Sequence, residues 1–213
     1  MTAPTKKLLE CKPVDPHELV KLDSSRFDLL SPLSSLSVRG VNILDLARET
    51  MRWLRENHPP FPPKAPAIVR PWWTPMPACY LAGLLAHVGL GHLRAPRSGN
   101  WQGMPPHSRQ SAKMTREILH RLSVPFPARA HAVALVRNYR RPENLVRNDS
   151  PPPHYRRLAC CVDLRALYYL RKAELHAFRK HADTAEKTEI IEEFRQRAGS
   201  ADIFGHPPTP PLP

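Results

Sequence analysis

From Ala78 to Val88 the chain reads ACYLAGLLAHV, and its apolar residues fall on every side of a helical period. A helix with no polar face has nothing to offer water, so it must be the buried centre around which other elements pack. Thr74 is placed to cap it, and Pro75 occupies the first helical position, where a missing N–H costs nothing. Gly89 and Gly91 should stop it.

The flanking segments also read as helices. After Asn42, Ile43, Leu44, Leu46, Ala47, Met51 and Leu54 recur at helical spacing until Pro59-Pro60. A proline-rich connector runs from there to Pro71, and Gly91 to Pro106 reads as a loop. Behind His107, a helix turns Ala112, Thr115, Ile118, Leu119 and Leu122 inward, with Arg109, Lys113, Arg116 and Arg121 largely on other faces. Pro125 and Pro127 separate it from the shorter apolar helix AVALVRNY. A loop with three prolines, 151–153, leads into one long helix over about 155–180, and Asp183 caps a last amphipathic helix that Gly199 ends. No stretch alternates with period two, and no internal repeat is visible. The expected fold is all-α, a compact helical bundle over 42–205, with an irregular extension over 1–41, partly ordered at best, and a Pro-rich tail over 206–213.

At 213 residues, 41% of them apolar, the chain can bury one core. The opening MTAPTKKLLECKPVDP lacks the apolar centre of a signal peptide, and no run reaches the roughly 18 apolar residues of a membrane span. Cys11, Cys79, Cys160 and Cys161 show no CxxC spacing, which fits reduced thiols in a cytoplasmic protein better than a zinc ribbon or disulfide framework. No P-loop, GxGxxG or GxSxG occurs. Charge is concentrated: residues 90–180 hold 18 Lys and Arg against 5 Asp and Glu, a surplus of 13 that equals the net charge of the whole chain. Most of these cations are arginines, whose forked donors suit phosphate. A solvated basic face is the plainer alternative. Trp72-Trp73 reads as a lid on the core, with base stacking as the alternative. The tail HPPTPPLP reads as a plain chain end that could also adopt polyproline II.

An order of motifs runs through the basic middle. The buried helix ends at His87, a loop with glycine and arginine follows, His107-Ser108-Arg109 opens a small-residue helix, Val136-Arg137 runs into Asn138-Tyr139, and Ala173-Glu174 sits in the long helix. Over about residues 74–200 this order resembles the HD domain, in the subtype attached to tRNA nucleotidyltransferases and some bacterial ATP-binding proteins. The resemblance implies an HD-like bundle and a metal-dependent phosphohydrolase ancestry, with His87, His107 and Glu174 as metal ligands if a metal binds. Several positions depart from the family pattern. Val88 stands where the family has the aspartate of its His-Asp pair, Asn138-Tyr139 stand where it has histidine, and Glu174 replaces aspartate. HD chemistry needs imidazoles and carboxylates converging on a divalent cation that makes a hydroxide nucleophile, so the metal site reads as degenerate and no cofactor is expected. His92, His131, His154 and Asp163 are the remaining candidates to replace lost ligands, but their spacing does not argue for it.

The expected function is therefore binding of a phosphate-bearing ligand, RNA or a nucleotide, without efficient catalysis. Arg94, Arg97, Arg109, Lys113, Arg137, Arg140, Arg141, Arg156 and Arg157 would supply the phosphate contacts. Two alternatives stand beside it: an active metal-dependent phosphohydrolase or phosphodiesterase, and a structural or protein-interaction module.

Overall fold

The computed structural model describes residues 37–38, 41–57, 75–92, 107–122, 124 and 126–201. Most of the expected extension, the connector with Trp72-Trp73, the Thr74 cap, Cys11 and the tail lie outside the described residues.

The chain enters through a two-residue antiparallel pair, β1 (Ser37–Val38) with β2 (Val41–Asn42), in which Ser37 faces Asn42 and Val38 faces Val41. Among the described residues every other element is helical, and the fold is all-α as expected. Two-residue strands are too short to show an alternating pattern. Val41 is buried against Leu46, Ala177 and Phe178, so the end of the expected extension is packed into the body. Helix α1 (Ile43–Asn57) follows directly, and the Asn42 side chain accepts the Leu44 N–H at 2.9 Å, as a cap should.

Helix α2 (Pro75–Leu85) is the centre: every residue from Ala78 to Val88 is buried, and α1, α4 (Phe126–Asn138) and α7 (Leu164–Phe178) pack around it. It ends three residues earlier than expected. A turn at Ala86-His87 gives way to a 3-10 helix, Val88–His92, laid across the first turns of α3 (Ser108–Arg121). The close approach explains Gly89. A Cβ there would stand 2.4 Å from the Ser111 amide nitrogen, and the Gly89 N–H instead donates to the Ser111 hydroxyl at 3.0 Å. Helix α3 packs along α4.

The expected helix over 155–180 is two helices. The apolar set Leu158 to Leu175 fits one period, but α6 (Pro152–Ala159) stops before the turn at Cys160-Cys161 and α7 restarts at Asp163. Asp163 is extended, with ψ 112°, and its Oδ1 accepts the Arg165 and Ala166 N–H groups at 2.8 and 3.0 Å, a complete N-cap. A short helix that the proline reading passed over, α5 (Arg141–Arg147), starts with Pro142 in its first turn. It closes on Asp149 at φ 44°, with Asp149 N–H on Val146 and Ser150 N–H on Leu145, the paired bonds of a left-handed C-terminus. Helix α8 (Ala185–Ser200) docks Ile191, Phe194 and Ala198 against α5, α6 and α7. Gly199 lies exposed in its last turn, and the helix ends one residue later at Ser200, close to the expected stop. Among the described residues no helix is long and apolar enough to cross a membrane.

Candidate functional site

One stripe of α7 reads Leu164, Leu167, Arg171, Glu174, Phe178, all buried. Arg171 and Glu174 interrupt an apolar face with opposite charges one turn apart, so each must find partners inside the protein. Those partners come from three other places: the turn after α2, the start of α3, and the α4–α5 corner.

Glu174 Oε1 lies 2.7 Å from His87 Nε2. Arg171 binds Glu174 with one guanidinium nitrogen and Glu143 of α5 with another. His87 Nδ1 lies 3.3 Å from His107 Nε2, and the Tyr139 hydroxyl lies 2.8 Å from that same nitrogen. Arg140 Nε donates to the Tyr139 oxygen at 3.0 Å. Both guanidinium groups sit over the Tyr139 ring, Arg171 at 5.1 Å and Arg140 at 5.5 Å from its centre. The Tyr139 side chain is fully buried.

The proton positions follow from this network. A carboxylate can only accept, so His87 carries its proton on Nε2 and presents a lone pair at Nδ1. At His107 Nε2 the partners are the His87 Nδ1 lone pair and the Tyr139 hydroxyl, which donates to Nε2 when that nitrogen is unprotonated and accepts from it when it is protonated. Both imidazoles are neutral at pH 7. Burial, reinforced by Arg140 and Arg171, pushes His87 down to about 3. Burial, then His87, Arg140 and Arg171, pushes His107 down to about 3. The His87–Glu174 contact is therefore an imidazole N–H donated to a carboxylate, not an ion pair. Burial alone would raise Glu143, but Arg171 and then Arg140 overcome it and hold the carboxyl below its usual range.

Of the residues named from the sequence, His87, His107 and Glu174 meet, and Arg140 joins them through Tyr139. Arg109, Lys113, Arg137, Arg141, Arg156 and Arg157 are exposed, and Arg94 and Arg97 lie outside the described residues. Arg109 follows His107 by two positions in sequence, and Arg137 and Arg141 lie on either side of Tyr139-Arg140 in sequence; all three are exposed, while His107 and Arg140 are the half-buried outer members of the cluster. Nothing brings Arg156 and Arg157 of α6 to the same corner. Of the alternative ligands, His131 and Asp163 face a small cavity under α4 away from the cluster, and His154 is exposed. The His92 side chain lies outside the described residues. Glu143 and Arg171 went unread in the sequence. The signal for Arg171 was available as a charge on the apolar stripe of α7, whereas Glu143 is visible only once α5 is recognised.

The residues present do not make the ligand set that the resemblance implies. Val88 is packed in the core. Asn138 turns its amide back to the Ala134 carbonyl of its own helix at 2.9 Å. Glu174 has one oxygen on His87 and the other on Arg171. Among the described residues no group of three or more His, Cys, Asp and Glu is arranged to hold a metal ion. No protein-family model matches this chain, and a search of curated proteins finds no match for it.

Proposed function

We propose that this chain is an HD-like helical domain whose metal centre has become a fixed hydrogen-bonded cluster, and that it binds the phosphate of an RNA or nucleotide without efficient turnover. The observation that carries the reading is the convergence of His87, His107 and Glu174 from three separate elements, at the order the HD resemblance implies. Convergence of residues 87 positions apart in sequence is not a by-product of local structure. The phosphate reading rests on the corner where the cluster reaches the surface. Arg140 and His107 are its outward members, and Arg109, Arg137 and Arg141, exposed, are within three positions of them in sequence. Inside, Glu143 and Glu174 are offset by Arg171 and Arg140, so the exposed arginines keep their charge for a ligand. Val88 carries no ligand atom, and Asn138 and Glu174 are engaged with other partners, so among the described residues no free ligand set stands ready to prepare a hydroxide, which supports binding over hydrolysis. A cytoplasmic setting accords with the free thiols of Cys79, Cys160 and Cys161.

The test is fluorescence anisotropy with a short single-stranded RNA at about 50 and about 200 mM salt, with the same mixtures assayed for released phosphate and shortened RNA. Binding that falls steeply with salt, and RNA recovered intact, are expected. Absence of binding at the lower salt would overturn the phosphate reading and favour an interaction module. Stoichiometric cleavage that stops with a chelator would overturn the non-catalytic one.

A further inference from the structure

Arg171 is 3% exposed, and the two carboxylates it joins, Glu143 and Glu174, are 7% and 5% exposed. Two carboxylates at this depth must be matched by positive charge, because an unpaired buried charge is among the costliest features a fold can carry. The guanidinium meets that requirement with a nitrogen on each carboxylate, and Arg140, half-buried and linked through Tyr139, supplies the second positive charge. Two guanidinium groups thus stand against two carboxylates.

We propose that Arg171 is this chain's built-in substitute for a divalent cation: its guanidinium, bridging Glu143 and Glu174 over the Tyr139 ring, holds the cluster together and closes it to metal ions. The inference rests on this geometry and stands apart from the phosphate reading. A divalent ion approaching Glu174 would have to expel a guanidinium that is itself buried and bonded at both ends. It would also add two charges to a balanced cluster. Removing that guanidinium exposes a different site, one with two carboxylates and the imidazole of His87 close by. Carboxylate and imidazole oxygens and nitrogens suit manganese or zinc. Glu143 belongs to this latent set although no motif in the sequence points to it.

The test compares the wild-type chain with Arg171→Met, using manganese alone as the probe, by thermal unfolding and by titration calorimetry. Wild type should melt at the same temperature in manganese and in chelator and give no saturable heat. Arg171→Met should melt lower in chelator, recover part of the loss in manganese, and bind the ion at least tenfold more tightly than wild type. A second variant guards against a protein that does not fold: Glu143→Gln combined with Arg171→Met removes one charge of each sign. It should be more stable in chelator than Arg171→Met alone, and it should lose the response to manganese. Stoichiometric manganese on wild type would overturn the proposal. So would a folded Arg171→Met with no gain in affinity, or a double variant no more stable than the single one.

Discussion

Alanine at Gly89 is the perturbation whose cost is most directly written in the structure. Gly89 does not occupy the left-handed region, so the requirement is for space. Its new methyl would stand 2.4 Å from the Ser111 amide nitrogen, 2.9 Å from the Gln110 carbonyl carbon and 2.9 Å from the Ser111 hydroxyl. Two of these three atoms are backbone, in a turn held by the Ser111 N–H on the His107 carbonyl at 2.7 Å, so α3 cannot give way cheaply. The 3-10 helix must lift off α3, which also breaks the bond from the Gly89 N–H to Ser111. Overpacking costs about 1–3 kcal/mol and a buried donor left unpaired about 1–3 more, against a gain below about 1 kcal/mol from the stiffer unfolded chain. The expected net loss is about 2–4 kcal/mol, which for a chain of this size lowers Tm by about 5–15 °C. Gly83→Ala is the matched control. Its methyl would meet Thr50, Leu170 and Leu54 side chains at 3.4 to 3.7 Å, ordinary contacts, inside a helix that alanine favours by up to about 1 kcal/mol. Urea unfolding of both variants decides the matter. If Gly89→Ala keeps the wild-type midpoint, or Gly83→Ala loses as much, the packing of the 3-10 helix on α3 is not as described.

Two further outcomes follow from the buried titrating groups and the caps. His87 and His107 are held near 3, while in the unfolded chain they take up protons from 6.5 downward, so stability is fully present above that value and is lost as pH falls. Between pH 7 and 5 His87 alone should cost about 2 kcal/mol, with His107 in the same direction and the raised Asp163 carboxyl opposing in part; a urea midpoint that fails to drop would contradict the neutral pair. Asp163→Ala should cost about 1 kcal/mol by uncapping α7, and Asp163→Asn should recover most of it, since asparagine keeps the accepting oxygen without the buried charge. Equal losses from both, measured by thermal unfolding, would mean the cap contributes little.

How much of this was legible beforehand depends on the kind of signal each residue carries. The central helix was readable because an all-round apolar segment has only one place to go. His87, His107 and Glu174 were readable as an ordered set, although their distances were not. What escaped were features decided by tertiary partners. Asp163 competes as a cap with an apolar period that continues past it, and the period alone suggests one helix where there are two. Pro142 looks like a breaker until its place at the start of α5 makes it a starter. Arg171 reads as one more cation in a basic segment, and only its burial between Glu143 and Glu174 separates it from the solvated arginines.

The central functional claim is that phosphate meets the corner formed by the α4–α5 junction and the start of α3. Arg137 and Arg141 flank that corner, are exposed, and can be changed to alanine together without touching the buried cluster. Arg52 and Arg55, exposed on α1, form a charge-matched control. The deciding measurement is the salt dependence of affinity for a single-stranded RNA across wild type and the two double variants. Arg137→Ala with Arg141→Ala should weaken binding and flatten the log–log slope by about 1.4, the value for two phosphate contacts to a single strand. Arg52→Ala with Arg55→Ala should leave the slope near that of wild type. Equal flattening by both pairs would mean attraction to net charge alone, and the corner would not be a phosphate site.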